Sequence, residues 1–375
     1  MVSVLAPPMK GDATDWDEES YRDGIVKERE IDALTVFRTA WVPSHDPSPD
    51  MLAVATSVGS VASFSITSMI AKLGSGVGTT RVPKAEPQTL LHAHHGPVYD
   101  IKFFRDSEDT LLLSCGDDGR IRGWKWNEIA SSDASFDLHE NPLSPVVDLV
   151  NPQQKGPWGT LSPMPENNAI AVDARSGSIF SAAGDSCAYC WDLETCKIKM
   201  TFKGHSDYLH CVVARNSASQ IITGSEDRTV RIWDCKSGKC VKTIAPEENK
   251  MNGLSLHISC AAIDANESWL AFSNCHGLAL WNLPAMECAS SACTRAPIYD
   301  ALFDQNHIVA VGAESVVTHF DMNYAILSQI ACAPCSAFSV SSHPSGVTAV
   351  GGCGSLVDII SPFGSHYCHF SCNCL

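Results

Sequence analysis

Gly204–Lys236 reads GHSDYLHCVVARNSASQIITGSEDRTVRIWDCK. Gly204 and His205 open it. An apolar run, Leu209–Ala214, comes next. A second run, Gln220–Thr223, ends in the turn residues Gly224, Ser225, Glu226 and Asp227. A third, Val230–Trp233, alternates apolar and charged side chains. Alternation of period two between turn signals marks half-buried strands, because successive strand side chains point to opposite faces. With Cys240–Ile244 these runs make one four-stranded antiparallel sheet. Gly-His at its start and Trp-Asp at its end are the signature of a propeller blade.

The residue types at those spacings have a physical reason. His205 stands 22 residues before Asp227, Thr223 four before it, and Trp233 six after it. In WD-repeat proteins such spacings carry a buried hydrogen-bond relay. The indole brings a large apolar area and one N–H that needs an acceptor. The Thr223 hydroxyl accepts from it and donates to His205, whose other ring nitrogen meets the Asp227 carboxylate. A hydroxyl, an imidazole and a carboxylate also invite a catalytic-triad reading. That reading fails, because this hydroxyl is expected inside a sheet and not on an exposed nucleophile turn.

The 375 residues suit one repeat architecture as well as two or three ordinary domains. Seven blades of about 40–45 residues need roughly 300 residues. The expected fold is all-β: a seven-bladed WD-repeat β-propeller over 31–370, with a leader over 1–30 and a tail over 371–375. The first residues read as disordered. From Thr14 a short helix is expected, with Trp16, Tyr21 and Ile25 on its apolar side. It serves either as a solvated leader or closing strand, or as a docking helix for another subunit.

Blade one begins near Leu34 and is followed by a Gly- and Pro-rich surface loop, about 68–88. Blade two repeats the relay as His95, Ser114, Asp118 and Trp124, with His95-Gly96 standing where Gly-His should. A second insert, about 131–159, is acidic and proline-bearing and shows few strand signals. Blade three keeps Ser181, Asp185 and Trp191 without an upstream histidine. Blade four is the quoted stretch. Blade five keeps Trp281, blade six has Phe320 in its place, and blade seven spans Ala337 to Ile360. Either Tyr367–Phe370 or the segment near Ile31 supplies the last outer strand, and either removes a free sheet edge.

Composition narrows the function. The net charge of −16 argues against a general phosphate-backbone binder, so RNA is expected to be met only through partners. No apolar run approaches the ~20 residues of a membrane span, and no secretory signal is read at the start. The 17 cysteines are then reduced thiols serving as small core residues. His366, Cys368, His369, Cys372 and Cys374 crowd the end of the chain, but they lack two well-separated ligand pairs, so no metal is expected. There is no phosphate loop, HExxH or GxSxG on a strand–turn–helix, and neither catalysis nor a cofactor is expected.

Ile221–Lys236 carries one further pattern: aliphatics at Ile221 and Ile222, small residues at Thr223 to Ser225, then Asp227, Val230, Ile232, Trp233, Asp234 and Lys236. It resembles the DWD box, a WD-repeat variant ending in Trp-Asp-x-Arg/Lys whose bearers often bind the adaptor of cullin-4 ubiquitin ligases. Trp233, Asp234 and Lys236 are the candidate adaptor contacts. Many WD repeats hold a basic residue there by chance. Blades two and three break the pattern at Asn127 and Glu194.

Lys27–Pro43, His92–Phe104, the quoted stretch through Asp234 and Gly351–His366 together resemble the THO complex subunit 6 family, in its plant form. The resemblance implies a nuclear, non-catalytic scaffold of the THO/TREX assembly in mRNA processing and export, contacting coiled-coil subunits. It also implies, for plant members, a receptor role in cullin-4 ligases that restrain abscisic acid signalling.

Overall fold

The computed structural model describes residues 33–374, less 45–49, 75–81, 106–108, 132–142, 156–158, 174, 246–256 and 274–276, with Arg22, Val26, Arg29 and Glu30 ahead of them. Those four and Ala33 are helical. The expected leader helix face of Trp16, Tyr21 and Ile25 lies outside the described residues, as does most of the leader.

Seven antiparallel sheets follow one another. Blade one is β1 (Val36–Trp41), β2 (Met51–Thr56), β3 (Ser60–Ser65) and, after a helix at Ile66–Gly74 and the two-residue β4 (Lys84–Ala85), β5 (Thr89–His92). Blade two is β6 (Val98–Arg105), β7 (Thr110–Gly116), β8 (Arg120–Lys125) and β9 (Val147–Val150). Blade three is β10 (Asn167–Asp173), β11 (Ser178–Ala183), β12 (Cys187–Asp192) and β13 (Lys197–Lys203). Blade four is β14 (Leu209–Arg215), β15 (Gln220–Ser225), β16 (Val230–Asp234) and β17 (Cys240–Ile244). Blade five is β18 (Ala261–Ile263), β19 (Trp269–Ser273), β20 (Gly277–Asn282) and β21 (Glu287–Cys293). Blade six is β22 (Ile298–Asp304), β23 (His307–Gly312), β24 (Val316–Phe320) and β25 (Ile326–Ala331). Blade seven is β26 (Ala337–Ser342), β27 (Thr348–Gly352), β28 (Leu356–Ile360) and β29 (His366–Cys372). The seven-bladed all-β expectation holds.

The apolar core is not central. It is split into seven wedges, each between two neighbouring blades. Inner-sheet strands therefore lose their alternation: β3 and β11 are buried at every position, packed on both faces. Outer strands stay wet, and β17 buries only Ile244. Blade-to-blade packing replaces a hydrophobic centre, which leaves the first strand of each blade free to line an axial channel.

Three expectations need correction. The 68–88 insert is not merely a surface loop. The helix at its start buries Ile66 and Met69 in the wedge that holds Phe370 and Cys372, and β4 pairs in parallel with β29. The 131–159 insert contains β9, the outer strand of blade two. The 371–375 tail is not free: Ser371 and Cys372 belong to β29, and Cys374 is 1% exposed. Of the two expected closures, Tyr367–Phe370 is the one seen, as part of β29. Blade seven draws its fourth strand from β29 and a fifth from blade one's β4.

Candidate functional site

Blade four holds an unbroken relay. The Trp233 indole N–H donates to Thr223 Oγ1 at 2.8 Å, and Thr223 Oγ1 lies 2.8 Å from His205 Nε2. His205 Nδ1 lies 2.8 Å from Asp227 Oδ2. Since Thr223 accepts from the indole, its proton points to Nε2, so the Nδ1–H donates to the carboxylate. Asp227 also accepts from the Ser206 and Thr229 backbone N–H groups, at 3.1 and 2.9 Å, and from the Thr229 hydroxyl at 2.7 Å. Burial opposes its ionisation, but the bonds from His205 and Thr229 prevail and hold the carboxyl well below its ordinary range. The opening glycine has its own reason. A Cβ on Gly204 would stand 3.0 Å from Trp233 Cη2 and 2.7 Å from Arg231 Nη1, so a larger residue would crowd the ring and displace the arginine tip. Thr223 is fully buried with both hydroxyl roles taken, and it offers no accessible nucleophile.

Blade two differs from its sequence reading in two ways. The histidine is His94, not His95: His94 Nδ1 lies 2.8 Å from Asp118 and Nε2 2.8 Å from Ser114. His95 contributes only its backbone N–H, at 3.3 Å from Asp118 Oδ2. His94 stands four residues before β6, as His205 stands four before β14. The spacing to the aspartate lengthens from 22 to 24 because the extra residues fall within the hairpin of the first two strands. The second correction concerns Trp124. Its buried N–H finds no acceptor among the described residues, so this relay stops at Ser114 and the ring is held by packing alone.

Blade three compensates for its missing histidine. Trp191 donates to Ser181 Oγ at 3.0 Å, and the Tyr189 hydroxyl donates to Asp185 Oδ2 at 2.5 Å. Burial and then Asp185 push the Tyr189 phenol far up, which keeps it a donor. Blade seven hides a carboxylate of its own. Asp358 is fully buried on β28, lies 2.9 Å from His366 Nδ1, and accepts from the Ala333 backbone at 2.9 Å. Cys368, Cys372 and Cys374 of the terminal cluster point into the wedge between blades one and seven. Among the described residues no group of three or more His, Cys, Asp or Glu is arranged around a metal-sized site.

The candidate adaptor residues sit where β16 turns into β17. Trp233 is 1% exposed. Asp234 is tied down in its own turn, accepting from the Lys236 and Ser237 backbones at 3.2 and 3.0 Å and from the Ser237 hydroxyl at 2.6 Å. Those bonds, Ser237 first, lower its carboxyl pKa. Asp192 of blade three caps its turn through Thr195 in the same way. Lys236 is exposed and edges a cleft of about 220 Å³ between blades three and four, with Lys199, Arg215 and Met200.

Inside the channel, Arg38 of β1 crosses between blades. Its Nη1 donates to Asp300 Oδ2 of β22 at 2.6 Å, and its Nε lies 3.0 Å from Asp100 Oδ1 of β6. The same carboxylates clasp the next blades: Asp100 accepts from Ile170 N at 3.0 Å and Asp300 from Val340 N at 2.9 Å. Both follow the bulges that open their inner strands.

The family model "WD domain, G-beta repeat" matches residues 85–125 and 196–234. "THO complex subunit 6" of Arabidopsis thaliana is 58% identical over 366 residues, covering 96% of this chain and 99% of the relative. "THO complex subunit 6" of Homo sapiens is 28% identical over 295 residues, covering 78% of this chain and 79% of the relative. The chain belongs to the THO complex subunit 6 family.

Within this THO complex subunit 6 family member, the two matched repeats share one arrangement. Each runs from the outer strand of one blade through three strands of the next. They lead into blades two and four, the blades whose histidine contacts both a hydroxyl and an aspartate.

Proposed function

We propose that this chain is a non-catalytic scaffold subunit of the nuclear THO/TREX complex, acting in mRNA processing and export. The single observation that carries the reading is likeness over 96% of the chain to a protein named for that complex. The geometry is compatible: rigid wedges, buried relays and loop-built faces suit an adapter whose surfaces meet other subunits. The acidic balance favours basic protein partners over direct RNA contact. Affinity purification of the tagged full chain from nuclei of its source tests this. Co-purification of the coiled-coil THO subunits is expected, and their absence under gentle salt ends the reading.

A second reading is a DWD-type substrate receptor of a cullin-4 RING ligase in abscisic acid signalling. The exposed Lys236 beside the cleft between blades three and four favours it. Asp234 is already spent on its own turn, so Lys236 carries the test. Lys236→Glu is expected to abolish capture of the ligase adaptor while THO subunits still co-purify. Failure of the unchanged protein to capture the adaptor removes this reading and leaves the first intact.

A further inference from the structure

Four aromatic rings stand side by side around one mouth of the channel. Each occupies the second position of an inner strand: Tyr99 of blade two, Phe37 of blade one, Phe338 of blade seven and Tyr299 of blade six. Phe37 meets Tyr99 edge-on at 5.5 Å and Phe338 at 5.8 Å, and Phe338 stacks on Tyr299 at 5.1 Å with 16° between planes. All four are half-exposed. Blades three and four put Asn168 and His210 at this position, and in blade five Ser259 stands two residues ahead of β18 and donates to Ile298 O, so the mouth is aromatic on one side and polar on the other. The Arg38 bridge to Asp100 and Asp300 lies one residue deeper and floors it.

Carboxylates gather around this mouth. Asp117 accepts from the Tyr99 hydroxyl at 3.1 Å, and Glu226 lies 3.6 Å from His210. Burial, then Asp117 and Glu166, push the Tyr99 phenol up to about 12. Burial and then His257 lower the His210 pKa, so its ring adds no positive charge to the mouth at neutral pH. The turns and loops of this face hold exposed Asp117, Glu226 and Glu314 and half-buried Glu166, Asp185 and Asp207, against exposed Arg228 and Arg295 and, at strand ends, Lys203 and half-buried Arg120.

An aromatic arc has two natural ligands. Bases stack on it when a basic groove holds the backbone. Cations lie on it when carboxylates stand near. Here the surroundings are acidic and the whole chain carries −16, so phosphates are repelled. We infer that this mouth docks an extended basic segment of a partner protein, with an arginine side chain laid on the aromatic side beside Tyr99 and Asp117, and a further basic residue met by Glu226 on the polar side. The inference goes beyond the scaffold reading and does not depend on it.

Fluorescence anisotropy with the full-length chain tests it. The probe is a short labelled peptide alternating glycine and arginine, and labelled oligouridine at the same salt is the rival ligand. Phe338→Ala leaves every charge in place, so non-specific attraction to an acidic protein is unchanged. It is expected to weaken peptide binding about tenfold. Glu226→Gln, an exposed change that spares the fold, is expected to weaken it severalfold. No binding of the peptide overturns the inference. So does unchanged affinity in a Phe338→Ala protein that melts normally, or in Glu226→Gln should the first variant not fold. Tighter binding of oligouridine, lost in Phe338→Ala, overturns it in favour of a base-stacking platform.

Discussion

Thr223 takes the Trp233 indole N–H at 2.8 Å, while its counterpart Ser114 leaves the Trp124 N–H without an acceptor among the described residues. The two blades share a plan and differ in one link, so their hydroxyls should differ in weight. Thr223→Val orphans a buried indole donor and a buried imidazole acceptor, each costing about 1–3 kcal/mol. Ser114→Ala orphans only the imidazole side. Denaturant unfolding should therefore show a loss of about 2–6 kcal/mol for the first and about half of that for the second. Equal losses would mean that the Trp233 bond contributes nothing.

Asp227 gives the relay a pH signature. Its folded pKa lies below its unfolded value, near 3.9 for a free aspartate. The folded state thus favours the charged form. That stability is fully present above the unfolded pKa and is lost as pH falls toward the folded one. Asp118 of blade two shifts the same way, with burial opposing and His94 leading the bonds that lower it. Melting temperature should drop on acidification from about pH 5 downward. The gap between the natural chain and Asp227→Asn should narrow over that window. A gap that stayed constant would refute the assignment.

Asp234 and Lys236 should separate experimentally, although one sequence pattern joins them. Asp234→Ala removes three acceptor bonds that hold the β16–β17 turn. Its denaturation midpoint should fall. Lys236→Glu touches an exposed side chain and should leave the midpoint where it was. If both variants lose adaptor capture but only Asp234→Ala loses stability, the lysine is the contact and the aspartate its support.

The channel bridge makes a third contrast. Arg38→Met strands Asp300 and leaves Asp100 only Lys102, at 3.5 Å, as a cation; the two carboxylate side chains are 9% and 2% exposed. Removing one partner of a buried ion pair costs about 3–5 kcal/mol. Asp300→Asn in the same chain should recover part of the loss, because the amide still offers an oxygen to Val340 N and no longer carries a stranded charge. Failure of that rescue in equilibrium unfolding would show that Arg38 acts through packing.

What sequence could reveal here follows from what repeats. Strand alternation and turns recur in every blade, so blade number and the Trp233 relay were legible. His94 was not, because counting back from Asp118 crosses a hairpin of variable length, whereas counting from the start of β6 finds it. Tyr189 was missed since its bond to Asp185 replaces a histidine instead of repeating one. Strand β9 hid in an acidic, proline-bearing stretch, as only Val147 and Leu149 of its four residues face inward. The aromatic arc became visible only when four strand starts were aligned in space. Nothing local marks Phe37 and Phe338, 301 residues apart in sequence, as neighbours.

Strand β4 shows the same limit most sharply and yields the last prediction. Two residues of blade one's insert, Lys84 and Ala85, pair in parallel with Ser371 and Cys372. Ser371 N donates to Pro83 O at 2.9 Å, Asn373 N to Ala85 O at 3.0 Å, and Asn373 Nδ2 to Glu86 Oε1 at 2.7 Å. Ordinarily an edge strand stays open to wrong partners; here the first blade covers the edge of the last and latches the ring. Three such bonds at about 0.5–1.5 kcal/mol each give about 3 kcal/mol. Replacing residues 83–86 by Gly-Ser of equal length keeps the two backbone carbonyls, removes the Glu86 carboxylate and loosens the segment, so it should cost part of that, about 1–2 kcal/mol. Truncation before Ser371 is a poorer probe, because it also empties the wedge of Cys372 and Cys374. Asn373→Ala is the milder companion, removing only the bond to Glu86. Combined with the Gly-Ser replacement it should add almost nothing, since both act on one contact. Additive losses in denaturant unfolding would show that the two ends of the chain are held independently.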